Sequence, residues 1–168
     1  LLERGDQVIG VSRRVYPQLV DRGMQHRRGD LTDAAFCSAA ISDVDAVVHT
    51  AAVAGVWGPW SQFYAINKLA TDQLIAACRA NRIPNLVMTS SPSVTFTGGH
   101  QRGVDESEPY ATRWLCHYPH TKALAEQAVL QAHEPGRLNT LALRPHLIWS
   151  EDDPHILPRM LDRARRGR

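Results

Sequence analysis

The sequence has few cysteines and no long apolar run, and each of these features excludes some classes of protein. Its three cysteines, Cys37, Cys78 and Cys116, are widely and irregularly spaced. They therefore suit neither a disulfide framework nor a zinc site. No stretch approaches the roughly 18 consecutive apolar residues of a transmembrane helix. We expect no membrane span, and a reducing cytoplasm as the compartment.

Net charge is also low. The formal value of +2 is too small to indicate a nucleic-acid partner. The eight histidines have no metal-ligand spacing, so we expect no metal site. Basic residues gather near the end of the chain, opposite the apolar face of a predicted helix that is capped by residues 152–154. That apolar face consists of Ile156, Leu157, Met160, Leu161 and Ala164.

Strand-like and helix-like segments alternate along the chain. Short apolar segments at 7–11, 24–28, 44–50, 86–89 and 138–144 predict strands. Amphipathic segments between them predict helices, with Thr32 as the N-cap of a helix that extends to about residue 42. In the helix at 60–80, the apolar stripe includes either Leu69 or Ala70. The alternation predicts a single α/β domain, residues 1–168, with a doubly wound parallel sheet.

Tyr118 and Lys122 form the most informative pair in the sequence. Residues four apart lie on one helical face, so the phenol and the ammonium face the same pocket. A neighbouring cation favours the phenolate, which lowers the pKa of a tyrosine from about 10 and makes it a usable general acid. Taken alone, the pair is also compatible with a solvated helix face.

The stretch YPHTKALAEQAVL, residues 118–130, resembles the Tyr-x-x-x-Lys helix of extended short-chain dehydrogenase/reductases. Its Pro-His is most similar to the 3β-hydroxysteroid dehydrogenase branch. The resemblance implies a Rossmann-like domain and an NAD(P)-dependent oxidoreductase that interconverts a secondary alcohol and a ketone. The small-molecule substrate would be a bulky 3-hydroxy or 3-oxo compound, either a 3β-hydroxysteroid or a long-chain oxoacyl compound. A nucleotide-sugar epimerase or dehydratase, and an inactive fragment, are the alternatives.

The same resemblance implies four catalytic roles. Tyr118 is the proton donor, and Lys122 lowers its pKa and holds the cofactor ribose. Ser91 orients the substrate oxygen, with Ser90 as the alternative. Asn67 fixes its helix and can hold a water near the lysine; a buried asparagine that satisfies backbone groups is the equal alternative.

Cofactor contacts are implied at the ends of successive strands. Ser12, Arg13 and Arg14 form a strand tip without an acidic residue, which favours NADP over NAD. A solvated turn is the alternative for this tip. The remaining implied cofactor residues are Asp30 and Leu31 at the adenine, Ala51 and Ala52 along the backbone, and Tyr118, Lys122 and Pro145 near the nicotinamide.

The resemblance also implies that the family's first strand, with its glycine-rich turn, precedes Leu1, and that the C-terminal substrate-binding portion follows the chain. Since that first strand is central in the family's sheet, we expect two unpaired inner strand edges in these 168 residues. Weak NADP binding and ready aggregation of the isolated chain are expected to follow. A homodimer of the full-length parent stays open.

Overall fold

A computed structural model describes residues 1–146, 148 and 156–167, so the predicted cap at 152–154 lies outside the described residues. Strands and helices alternate along this part of the chain. The strands are β1 (Ile9–Ser12), β2 (Gln25–Arg28), β3 (Ala46–His49), β4 (Asn85–Thr89) and β5 (Asn139–Leu143). The helices are α1 (Pro17–Val20), α2 (Ala34–Ala40), α3 (Trp60–Phe63), α4 (Ala70–Ala80), α5 (His117–Gln131) and α6 (Ile156–Arg165).

The strands form two parallel sheets. β1 pairs with β2, and β4 lies between β3 and β5. Within the described residues, β1 and β3 do not pair with each other, so each keeps one open edge toward a shared cleft. The predicted parallel α/β architecture is thereby confirmed, with its unpaired inner edges. The self-association expected from such edges stays a prediction.

Three helices cover one face of the β3–β4–β5 sheet. α2 packs on α4, and α4 packs on α5. The core beneath them includes Leu74, Leu86, Met88 and Val129, all nearly inaccessible to solvent. Burying a side chain such as Leu86 stabilises the fold by about 1.5–3 kcal/mol. This packing holds α5, with Tyr118 and Lys122, against the end of β4.

The opposite face of this sheet is open among the described residues. Val48, Leu141 and Leu143 are 56%, 51% and 50% exposed. Val87 lies between Val48 and Leu141 in register, so these side chains form one apolar strip. Parallel sheets are normally covered on both faces, so this strip is an unusual feature.

The N-cap of α2 is Asp33, and the prediction of Thr32 was wrong by one residue. The Asp33 carboxylate accepts hydrogen bonds from the backbone N–H groups of Ala35 and Phe36, at 2.9 and 3.1 Å. The Thr32 hydroxyl donates to Asp30 instead, at 2.9 Å. Asp30 thus binds the residue that would otherwise have capped the helix.

The predicted helix at 60–80 is continuous but irregular. A π-helical segment, Tyr64–Leu69, separates α3 from α4. Leu69 is 43% exposed and Ala70 is 2% exposed, so Ala70 occupies the apolar stripe. In α6, Met160 and Leu161 are exposed. Across the described residues, no helix is both long and apolar enough to cross a membrane.

Candidate active site and cofactor cleft

A cleft of about 820 Å³ lies between β1 and β3. Seven of the predicted cofactor residues line it, namely Ser12, Arg13, Arg14, Asp30, Leu31, Ala51 and Ala52. They follow β1, β2 and β3, and the carboxyl ends of parallel strands meet at one edge of the fold. Tyr118, Lys122 and Pro145 do not line this cleft. The structure therefore brings the residues predicted at the adenosine end of a cofactor together.

The tip of β1 presents two arginines on a fixed backbone. The Ser12 hydroxyl donates to the Arg14 carbonyl at 2.6 Å and lies 2.8 Å from Nε2 of His26. Arg28 donates through Nε to the Arg13 carbonyl at 3.2 Å. Because these bonds hold the backbone, the exposed guanidinium groups of Arg13 and Arg14 stand at the rim of the cleft.

Asp30 is held as a carboxylate near those arginines. Its Oδ1 accepts from the backbone N–H and the hydroxyl of Thr32, each at 2.9 Å. Arg13 Nη1 lies 4.0 Å from Oδ2. The hydrogen bonds from Thr32, with a smaller effect of Arg13, lower the pKa of Asp30. An acceptor carboxylate, two cations and the small side chains of Ala51 and Ala52 fit the adenosine portion of a dinucleotide.

α5 carries the predicted acid and its lysine. Lys122 is 2% exposed, and its Nζ donates to the Thr89 carbonyl at the end of β4, at 2.6 Å. Burial lowers the pKa of Lys122 to about 8, and the Glu126 charge opposes this shift. The Tyr118 ring is half-buried, and burial raises the pKa of its phenol while the Ser91 hydroxyl lowers it.

The expected lowering of the Tyr118 pKa by Lys122 is therefore wrong for this structure. Two physical reasons account for the difference. The Lys122 ammonium is directed to a backbone carbonyl, where its charge stabilises the end of β4. Burial of the phenol disfavours the phenolate more than the neighbouring groups favour it.

The two candidate serines have different partners. The Ser90 hydroxyl is buried and donates to the Glu126 carboxylate. Ser91 starts a short 3₁₀ turn, Pro92–Val94, where its hydroxyl lies 2.8 Å from the Ser93 hydroxyl. Since Ser91 rather than Ser90 interacts with Tyr118, the contacts favour Ser91 as the serine beside the predicted proton donor.

Asn67 lies in the π-helical segment and is 1% exposed. Its Oδ1 accepts from the Val53 N–H at 2.8 Å. Its Nδ2 donates to the Val53 carbonyl at 3.1 Å and to the Thr121 hydroxyl at 3.0 Å. These contacts support the alternative in which Asn67 satisfies backbone groups, and they tie the loop after β3 to α5.

Several polar residues of this region were not singled out from the sequence. Glu126 accepts hydrogen bonds from Ser90, Tyr110 and Arg144. His49 is buried, with Nε2 2.9 Å from the Thr71 hydroxyl; burial and the Lys122 charge lower its pKa to about 4. Glu126 follows Lys122 by four residues, and this spacing was the available signal.

A row of aromatic rings joins α3 to the start of α5. Trp60 stacks on Tyr64 with 5.5 Å between ring centroids. Trp60 also lies 4.9 Å from the His120 ring, which stacks on Trp114 at 5.0 Å. The row joins the start of α3 to the start of α5 through the His117 and His120 rings.

The two parallel sheets, their covering helices and the cleft at the strand ends define a Rossmann-like dinucleotide-binding fold. The chain belongs to the 3-beta hydroxysteroid dehydrogenase/isomerase family, whose family model matches residues 14–168.

Three similar proteins illustrate this relationship. A 2-alkyl-3-oxoalkanoate reductase of Stenotrophomonas maltophilia is 46% identical over 171 residues, covering 100% of this chain and 51% of that protein. The protein of the same name in Shewanella oneidensis is 42% identical over 174 residues, covering 100% of this chain and 45% of that protein. The solved structure of MoeE5 in complex with UDP-glucose and NAD has a TM-score of 0.81 and 30% identity, covering 98% of this chain and 55% of that chain. The chain spans about half the length of the curated relatives it matches.

Proposed function

We propose that the chain provides the cofactor cleft and the catalytic residues of an NADP-dependent oxidoreductase that interconverts a secondary alcohol and a ketone. The observation that carries this proposal is the convergence at the end of β4. There Lys122 is bonded to Thr89 and Ser91 interacts with Tyr118, while the predicted cofactor residues line the cleft at the neighbouring strand ends. Family membership supports the same reaction class.

The proposed chemistry divides between the cofactor and three side chains. A bound nicotinamide supplies or accepts the hydride. Tyr118 gives its phenolic proton to the ketone oxygen during reduction and takes it back during oxidation. Ser91 donates a hydrogen bond to the same oxygen and orients it. Lys122, whose ammonium is bonded to the Thr89 carbonyl, holds the end of β4 against α5 and would contact the ribose of a bound cofactor.

The choice of NADP rests on the two arginines at the tip of β1. Replacing both, as Arg13→Ala/Arg14→Ala, removes the cations proposed to contact the 2′-phosphate. We expect the NADP dissociation constant to rise about tenfold or more, because a hydrogen bond to a charged group contributes about 1.5–3 kcal/mol. NAD affinity should change little. Titration calorimetry with both cofactors measures the difference.

Arg22→Ala is the matched control for this double variant, because Arg22 is an exposed arginine paired with Glu3 at 3.1 Å and does not line the cleft. It should leave both affinities unchanged. If the double variant weakens the binding of NADP and of NAD equally, Arg13 and Arg14 are only a solvated turn. The argument for NADP is then lost.

For the substrate we propose a 2-alkyl-3-oxoalkanoate, a bulky 3-oxo acid. The names of the relatives at 46% and 42% identity support this class. A nucleotide-sugar reaction is the second candidate, because MoeE5 was solved with UDP-glucose and shares the fold.

Turnover assays separate these candidates. The purified protein is supplied with NADPH and either a 2-alkyl-3-oxoalkanoate or a 3-oxosteroid, and, separately, with NAD and UDP-glucose. We expect NADPH oxidation with the oxoalkanoate and no conversion of the sugar nucleotide. If UDP-glucose is converted and NADPH is not oxidised with the oxoalkanoate or the steroid, the second candidate replaces the proposal. If no substrate is turned over, the chain is an inactive fragment.

A further inference from the structure

The Glu126 carboxylate is a buried ion to which the proposed chemistry gives no role. Glu126 is 1% exposed and lies on α5, one turn after Lys122. Its Oε2 accepts from the Ser90 hydroxyl, and its Oε1 accepts from the Tyr110 hydroxyl at 2.8 Å. Arg144 donates through Nη2 at 2.6 Å and through Nε at 3.1 and 3.2 Å.

Those donors keep the carboxylate charged in a buried place. Burial alone raises the pKa of Glu126, but the hydrogen bonds from Arg144, Ser90 and Tyr110 outweigh it and hold the pKa below its ordinary value. A buried ion pair is stable only when its geometry is good and its remaining hydrogen-bonding sites are filled. The carboxylate therefore holds its donors in fixed directions.

Two consecutive residues at the end of β4 are fastened to α5 in this way. Lys122 binds the Thr89 carbonyl, and Glu126 binds the Ser90 hydroxyl. Ser91 is the next residue, and Tyr118 lies one turn before Lys122 on the same helix. The end of β5 is attached at the same point, because Arg144 follows β5 directly and pairs with Glu126.

We propose, on the basis of the function proposed above, that Glu126 is a positioning residue for the catalytic group. It holds the ends of β4 and β5 against α5, and it thereby sets the Ser91 hydroxyl opposite the Tyr118 phenol. Its charge also favours the protonated form of the neighbouring Lys122.

The charged and titratable groups around Lys122 give this role a measurable signature. Glu126 acts on it from α5, and His49 lies near it at the end of β3. Arg144 and Tyr110 face Glu126 from the other side. Because the Glu126 charge raises the pKa of Lys122 against burial, loss of that charge lowers this pKa further below about 8.

Glu126→Gln tests the proposal, because it keeps the shape of the side chain and removes the charge. We expect kcat for ketone reduction to fall about tenfold or more, since a small displacement of catalytic groups is costly. The cofactor dissociation constant should stay near the wild-type value. NMR titration of the Lys122 Nζ group should show its midpoint at a lower pH than in the wild type. A merely structural role would reduce the folded fraction and leave kcat per folded molecule unchanged.

Glu134→Gln is the matched control, because Glu134 pairs with Arg137 at 3.0 Å on the exposed surface. It should change neither kcat nor the Lys122 midpoint. If Glu126→Gln does not fold, Ser90→Ala replaces it, since this variant leaves the Glu126–Arg144 pair in place. Ser90→Ala should lower kcat and leave the Lys122 midpoint unchanged.

The outcomes distinguish a failure of the positioning role of Glu126 from a failure of the proposed function. A folded Glu126→Gln protein with wild-type kcat and a wild-type Lys122 midpoint would overturn the positioning role, and so would wild-type kcat in Ser90→Ala. Absence of turnover in the wild-type protein would instead overturn the proposed function. The Lys122 midpoint would still test the effect of the Glu126 charge in that case, because it is measured without substrate.

Discussion

Tyr118→Phe should lower turnover by about 100-fold or more, because the variant keeps the ring and loses the proton of the proposed general acid. The cofactor dissociation constant should stay close to the wild-type value, since the variant removes one hydroxyl and no charge. Because burial raises the pKa of Tyr118, the wild-type phenol is protonated at neutral pH and ready to donate during reduction. Initial rates of NADPH oxidation, together with cofactor titration, measure both quantities.

Tyr64→Phe is a suitable control for that variant. Its ring stacks on Trp60 with 5.5 Å between centroids, and the substitution keeps this contact. Turnover of the control should remain close to that of the wild type. If Tyr118→Phe also turned over at the wild-type rate, another group would have to supply the proton, and the assignment of Tyr118 would be lost.

Arg144→Ala should lower the free energy of unfolding by about 3 kcal/mol or more, because breaking a buried ion pair leaves an uncompensated charge. The Glu126 side chain is 2% exposed and the Arg144 side chain is 21% exposed, so the variant leaves a buried carboxylate without its cation. Arg144 also lies over the Tyr110 ring at 5.4 Å, and that contact is lost as well. Urea unfolding at neutral pH measures the change.

The pH dependence of that loss follows from the Glu126 carboxylate. In the wild type its lowered pKa contributes stability above the unfolded-state pKa, and this contribution disappears as the pH falls through the folded-state pKa. Without Arg144, the largest contribution that lowers the pKa of Glu126 is lost, so its folded-state pKa rises above that of the wild type. The carboxylate of the variant then becomes protonated at a higher pH than that of the wild type, so the deficit of the variant should shrink as the pH falls through its folded-state pKa toward the lower one of the wild type.

Arg137→Ala is the matched control for stability. Arg137 pairs with Glu134 at 3.0 Å, but the two side chains are 80% and 43% exposed. Exposed pairs contribute about 0–1 kcal/mol, so this variant should unfold close to the wild type. Equal losses for Arg144→Ala and Arg137→Ala would show that burial of the Glu126 pair adds nothing to stability.

Local patterns were sufficient to predict the elements that place the site. The strand at 86–89 and the Tyr118 helix were predicted from apolar periodicity and match β4 and α5 closely. Residues that follow strand ends were also brought together, because parallel strands place their carboxyl ends at one edge. That rule is why Ser12, Asp30 and Ala51, distant in sequence, line one cleft.

Features that depend on contacts between distant segments were not predictable from the sequence. The direction of the Lys122 ammonium depends on the Thr89 carbonyl, 33 residues earlier in the chain. The partners of Glu126 come from β4, from a loop and from β5. The cap of α2 was misassigned for a local reason, because Thr32 and Asp33 are both good caps and only the competing bond to Asp30 decides between them.

The number of residues in the π-helical segment Tyr64–Leu69 decides which neighbours the side chains before and after it contact. A π segment has the effect of one residue inserted into an α-helix, and one residue corresponds to about 100° of rotation. The turn before it directs Trp60 and Phe63 toward the His117 ring, while the turn after it directs Ala70 and Leu74 into the core. One continuous helix therefore presents side chains in two directions, and the contacts of Trp60 and Phe63 with the His117 ring depend on the number of residues between 64 and 69 as much as on their identity.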